Sequence, residues 1–263
     1  MLAGEMTDTA ASPSGNGRVR AVAKAAAVLN CFAPRTPVLS VREIARATGI
    51  PRSTVHALCL TLCDARLLEE VPGGGYQLGL GLVPLGGQVL ARQSFVEATE
   101  GLVGALTREN GTWVLVGQLV EGWIVYLARF VSEHHGPVNS RAGLRAPAHR
   151  TACGKAALSL LDEAEVLRRV RLACAAEHLP LPDQGALLDQ LAGGRRSGYV
   201  VSSDWRPGRM SIGAPVIGTA DAVVGGISVV GPSSVFTPEV TRRLASRLVE
   251  VAARVGQRLS PSP

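Results

Sequence analysis

Val41-Arg42-Glu43-Ile44-Ala45-Arg46-Ala47-Thr48-Gly49-Ile50-Pro51-Arg52-Ser53-Thr54-Val55-His56-Ala57-Leu58-Cys59-Leu60-Thr61-Leu62 is the stretch that decides the architecture. Two helices that cross steeply need a small residue at the crossing, a turn residue without a Cβ penalty, and apolar residues that pin the second helix from below. Ala45, Gly49, Ile50, Val55 and Leu58 supply these in that order. Ser40 is a good N-cap for the first helix, Gly49 interrupts it, and Pro51 restarts the chain, so that Arg52 to Asp64 reads as the second helix. Its exposed N-terminal part carries Arg52, Ser53, Thr54 and His56, where a recognition helix meets base edges and phosphates.

Outward from this core, Val22, Ala25, Ala26, Leu29 and Phe32 line one face of a helix over 18–32. Leu67 to Val71 and Tyr76 to Leu78 read as short strands around the flexible tip Pro72-Gly73-Gly74-Gly75, which makes a wing. Arg42 joins the candidate DNA contacts, with Arg18 as an arm reaching phosphates and Tyr76 on the wing near the adjacent groove. Leu82 to Arg92 reads as a linking helix, and Phe95 to Asn110 as another ended by Gly111. The expected organisation is a tail over 1–17, a winged helix-turn-helix over 18–80, a linker helix over 81–93 and a larger domain over 94–263.

In that larger domain, Thr112 to Val120 and Trp123 to Phe130 form a hairpin around Glu121-Gly122, and Ser211 to Ile217 and Val223 to Val230 are further strands. Helices are expected from about Ala152 to Leu161, from Asp162 with capping-box spacing to Glu165, and from Thr237-Pro238 to near the end. Helices on a mainly antiparallel sheet make the domain α/β or α+β.

Charge agrees with a nucleic-acid partner. The 263 residues carry a net charge of +6, and residues 17–92 hold nine Lys and Arg against four acids. No stretch approaches the roughly 18 consecutive apolar residues of a membrane span. The opening residues lack the basic start and apolar run of an export signal, and five cysteines form an odd, unpatterned set, so reduced thiols in the cytoplasm are expected.

Five ordered segments resemble the isocitrate lyase regulator (IclR) family of bacterial transcription factors. They are Leu39 to His56, Tyr76 to Gly79, Pro147 to Lys155, Gly198 to Ser202 and Ser211 to Val216. The resemblance implies an α+β chain: a winged helix, a linker helix and a GAF-like effector-binding domain, assembled as homodimers or homotetramers on palindromic operators. It implies a small organic acid as effector, held between the helix start near Ala152 and the later strands. The residues it carries over are Thr151, Ala152, Asp204, Gly213, Ala214 and Ser228, with Cys153 beside them. No cofactor, metal or membrane partner is expected. Ala57 stands where the family usually has a basic residue, and Arg150 and Cys153 where it commonly has small ones. Independently of the family, the amides of Thr151, Ala152 and Cys153 at a helix start are a natural seat for a carboxylate, with Arg145, His149 and Arg150 just upstream.

Two other readings stay open at this point. An enzyme would use Cys153 as nucleophile at a helix start with His149 as base. A metal or redox sensor would use His134, His135 and the cysteines, although no Cys or His pair has zinc-site spacing.

Overall fold

In the computed structural model, which describes residues 19–33, 36–92, 94–107, 111–131, 142–203 and 207–259, Ser40 opens the helix-turn-helix with a full capping box. Its hydroxyl accepts from the Glu43 amide at 3.3 Å, while the Glu43 carboxylate accepts from the Ser40 amide at 2.8 Å. These bonds hold the Glu43 carboxyl below its ordinary pKa. The box starts α2 (Val41–Thr48), which follows α1 (Arg20–Leu29). Gly49 ends α2 with φ at 69°, a left-handed conformation that glycine adopts without strain, and its amide donates to Ala45 O at 2.9 Å. The recognition helix α3 (Arg52–Asp64) follows. Replacing Ser40 by Ala removes one side of the box and is expected to destabilise the winged helix by about 1 kcal/mol in urea unfolding.

The wing pairs β1 (Leu68–Glu70) antiparallel to β2 (Tyr76–Leu78). Gly73, Gly74 and Gly75 all take positive φ at its tip, which explains the glycine run. Val28, Ile44, Val55, Cys59, Leu68 and Tyr76 close the core beneath. After the wing comes α4 (Leu82–Leu90), none of whose residues is buried. The described residues divide between Val89 and Leu90 into two units.

The C-terminal unit begins with α5 (Ser94–Thr99) and a single 3-10 turn at Gly104–Thr107, not one long helix. Gly101, at φ 70°, breaks the helix that apolar spacing alone suggests. Six antiparallel strands follow: β3 (Trp113–Val120), β4 (Trp123–Val131), β5 (Arg145–Pro147), β6 (Val200–Ser202), β7 (Arg209–Ile217) and β8 (Val223–Pro232). Their order is β5-β4-β3-β8-β7-β6. On one face lie α6 (Ala152–Leu158), α7 (Glu163–Ala176) and α8 (Gln184–Ser197). On the other lies α9 (Pro238–Leu259), whose Leu244, Leu248 and Val255 pack on Val114, Ile212 and Val229. Helix α8 is an element that apolar spacing missed, because Gly185, Gly193 and Gly194 dilute its pattern.

One irregularity matters for the site. Gly117 pairs with Tyr126 and Leu115 with Arg129, so β4 carries an extra residue between them. Tyr126 and Arg129 are three apart in sequence yet share a face, which a regular strand forbids.

Candidate functional site

The N-terminal unit gathers its cations at the helix-turn-helix turn. Arg42, Arg46 and Arg52 line a depression of about 470 Å³ around Gly49, Ile50 and Pro51. Arg42, Arg52, Ser53 and His56 are exposed and Thr54 is half-buried, on or beside the start of α3, where unsatisfied helix amides favour an anion. Tyr76 does not belong with them. It is 4% exposed, its backbone pairs with Leu39, and its hydroxyl lies 3.5 Å from His56 Nδ1. The ring is core that positions His56, because the strand alternation turns it inward. Arg18 lies outside the described residues.

In the C-terminal unit a pocket of about 230 Å³ opens between the start of α6 and the sheet. Three of the expected residues, Thr151, Ala152 and Ser228, line it. The floor is Leu115, Met210 and Val230, with Tyr126 beside them, and the polar remainder comes from Ser202, Ser203 and Ser211. The side chains that dominate its electrostatics were not anticipated. Trp113, on β3, has the guanidinium of Arg129 4.5 Å from its ring centre and that of Arg209 at 4.7 Å. The two arginines come from β4 and β7, strands on opposite sides of β3 in the sheet.

The other expected residues do not line it or lie outside the described residues. Cys153 is fully buried, its thiol donates to Gly226 O at 3.1 Å, and burial pushes its pKa up to about 12. Gly213 is a packing residue: a Cβ there would collide with the Ala152 carbonyl and lie 2.6 Å from Cys153 N. Ala214, one residue on, points to the α9 face. Asp204 lies outside the described residues. At the α6 start the Thr151 amide donates to Ala148 O at 3.2 Å and the Gly154 amide to the Thr151 hydroxyl at 3.0 Å.

Upstream, Arg145 is a surface residue, 5.0 Å over the Trp123 ring and 3.2 Å from Glu177. His149 and Arg150 line a separate groove with Lys155. His149 is 7% exposed, and its Nε2 lies 3.8 Å from the Cys174 sulfur. The nucleophile-and-base pair of Cys153 and His149 is therefore not assembled, and a thiol with so high a pKa is a poor nucleophile. His134 and His135 lie outside the described residues, and no metal-binding cluster of His, Cys, Asp or Glu occurs among the described ones. None of the described helices is long and apolar enough to cross a membrane.

Burial, with the Arg150 and Lys155 charges nearby, lowers the His149 pKa from 6.5 to about 4. The unfolded chain then binds a proton that the folded one refuses between those values, so stability falls as pH drops from about 6.5 to 4. A His149→Gln variant is expected to show a flatter acid limb in thermal melts over that window.

Family models settle the relationship: the IclR helix-turn-helix domain matches residues 21–72, and the bacterial transcriptional regulator IclR C-terminal domain matches residues 87–257. The chain belongs to the IclR family. It is an HTH-type, DNA-binding transcriptional regulator, with the winged helix and α/β domain of that family. It is 32% identical over 194 residues to the HTH-type transcriptional regulator TtgV of Pseudomonas putida, covering 72% of this chain and 71% of TtgV. A crystal structure of an IclR family regulator from Brucella abortus superposes with a TM-score of 0.81 at 24% identity, covering 95% of this chain and 96% of that one. An IclR homologue from Microbacterium hydrocarbonoxydans, crystallised with 4-hydroxybenzoate, superposes at 0.63 and 24% identity over 91% of this chain and 98% of that one.

Proposed function

We propose that this IclR-family regulator reads a palindromic operator as a homodimer or homotetramer, and that a small carboxylate-bearing effector in the C-terminal pocket modulates its grip. The carrying observation is the polar pocket with Arg129 and Arg209 on Trp113, in the domain that follows a DNA-reading unit. The carboxylate complex of the Microbacterium homologue supports the choice of ligand class. Arg42, Arg52, Ser53, Thr54 and His56 are the contacts with DNA, acting in the cytoplasm, where the cysteines stay reduced.

A dimer follows from operator reading and from α4. One short recognition helix reads few bases, and two-fold repetition doubles them. Helix α4 exposes Val83 at 65%, Leu85 at 53% and Val89 at 58%, an apolar surface that a second copy covers. Changing Val83 and Val89 together to Glu is expected to shift the protein toward monomer in sedimentation velocity and to weaken operator binding.

The test is a genomic selection for bound fragments, followed by operator titration with and without saturating 4-hydroxybenzoate and a panel of small acids. Coupling requires an effector that binds the DNA-bound and free states with different affinity. If every acid that binds leaves operator affinity unchanged, the modulation is refuted.

A further inference from the structure

The two cations on Trp113 do not stand alike. Arg129 has a further partner within the protein. Arg209 lines the same pocket, half-buried, with its guanidinium stacked 4.7 Å from the Trp113 ring centre and making no hydrogen bond or ion pair among the described residues. Stacking occupies the flat face of a guanidinium and leaves its N–H edge for acceptors in its own plane. That edge is a fork matched to a carboxylate. No Asp or Glu stands among the described residues that line the pocket.

Strand register sets what lies beyond Arg209. Arg209 pairs with Pro232, Ser211 with Val230 and Gly213 with Ser228, while β3 sets Trp113 against Val230 and Leu115 against Ser228. Alternate residues share a face, so these form three rows about 7 Å apart, two residues at roughly 3.4 Å each. The outer row holds Arg209, the middle one Trp113 and Val230, and the inner one Leu115, where Ala152 of α6 closes over Gly213. Exposure falls along the same line, from half-buried Arg209 to Leu115 at 7%. The hydroxyls on the way have partners: Ser211 Oγ donates to Ser202 O at 3.0 Å, Thr151 Oγ1 accepts from the Gly154 amide, and Ser228 interacts with the Cys153 thiol. The pocket therefore runs from a cation inward to an apolar end. Its volume, about 230 Å³, is near eight times the roughly 30 Å³ that a water molecule occupies in the liquid. That suits a molecule the size of a short-chain acid.

Resting on the effector reading above, we infer that the effector is a short-chain aliphatic monocarboxylate, its carboxylate on the N–H edge of Arg209 and its tail along Val230 and Leu115 toward Ala152. Arg209 determines the charge that is accepted, and Trp113 is a positioning residue that holds the guanidinium flat at the outer end. The tail is aliphatic because guanidiniums already take up the Trp113 ring, which leaves Val230 and Leu115 as the surface it meets. A second carboxylate would have to give up its water at the apolar inner end. Chain length is selected because Ala152 closes that end.

The experiment titrates the full-length protein calorimetrically with straight-chain acids from propionate to octanoate, each against its own primary amide, which keeps size and removes the charge. The acids are expected to bind about tenfold or more tighter than their amides, with the gap narrowing as salt rises. Affinity should climb by about fourfold per methylene until the chain reaches Ala152, and fall beyond that length. Arg209→Gln should bring each acid down to its amide's level while keeping the gain per methylene, a pattern that mere loosening of the fold does not produce. Arg209→Lys restores only part of the loss, because an ammonium lacks the planar fork. Val230→Thr should shrink the gain per methylene and leave propionate nearly unchanged, and circular dichroism checks that each variant is folded.

Equal binding of acid and amide overturns the inference, as does an acid preference that survives Arg209→Gln. A flat response to chain length overturns the aliphatic tail, and so does adipate binding as tightly as hexanoate or benzoate binding tighter than every straight-chain acid. Should the straight-chain acids bind as described yet leave operator affinity unchanged, the pocket assignment stands and the modulation falls. Should 4-hydroxybenzoate shift operator affinity while no straight-chain acid binds, the effector reading stands and the aliphatic one falls. Should no acid of either kind bind or shift operator affinity, both fall together.

Discussion

Gly213→Ala is expected to destabilise the C-terminal domain by about 3 kcal/mol or more and to abolish effector binding, although it adds a single methyl group. The new Cβ would collide with the backbone carbonyl of Ala152 and lie 2.6 Å from Cys153 N. Backbone cannot swing aside as a side-chain tip does, so α6 must move off β7. That displaces Thr151 and Ala152 from Ser228, and the pocket they share opens. Gly193→Ala is the matched control, since only the tip of Arg196, at 4.0 Å, comes near its added Cβ. In the interior of α8 that change is expected to stabilise by about 0.5–1 kcal/mol. The winged helix has its own core, so urea unfolding of Gly213→Ala should separate into two transitions, only the C-terminal one shifted. A single unshifted transition would show that α6 and β7 tolerate the extra atom.

The contrast between these two glycines also marks how far the chain could be read without coordinates. The helix-turn-helix was legible because its determinants are local: a serine cap, a glycine in the left-handed region and a proline restart lie within a dozen residues of one another. The hairpin β3–β4, the long strands β7 and β8 and the final helix were legible for the same reason. Gly101 was not, because apolar spacing continues across it while the backbone turns. The pocket was half legible. Thr151, Ala152 and Ser228 came from the family pattern, whereas Arg129 was hidden by the extra residue in β4 that rotates it onto the face of Tyr126. Trp113 and Arg209 are 96 positions apart in sequence and meet only through the order of the sheet. A charged residue inside a β-rich run was the available signal, and it has meaning only once the bulge is known. Ala214 and Tyr76 failed differently: each sits in the right segment with its side chain on the other face.

The N-terminal unit carries the other large effect. Arg52→Ala combined with Thr54→Ala is expected to lower operator affinity by about a hundredfold or more and to flatten its salt dependence. Arg52 opens α3 as an exposed cation beside Arg42 and Arg46, and Thr54 follows it half-buried on the first turn. Each base or phosphate contact contributes about 1–3 kcal/mol, and a two-fold dimer loses it twice. Losing a phosphate contact also lowers the slope of log affinity against log salt by about 1 per site. Neither residue belongs to the buried core of the winged helix, which is built on Ile44, Val55, Cys59 and Leu68, so the melting temperature should hold within the scatter of surface substitutions. Tyr76→Phe separates contact from positioning. It leaves the ring in the core and removes only the hydroxyl 3.5 Å from His56. It should therefore leave the salt slope unchanged and weaken affinity far less than the double variant. If the double variant keeps both affinity and slope, α3 does not read the operator, and the cations gathered at the Gly49 turn serve some other anion.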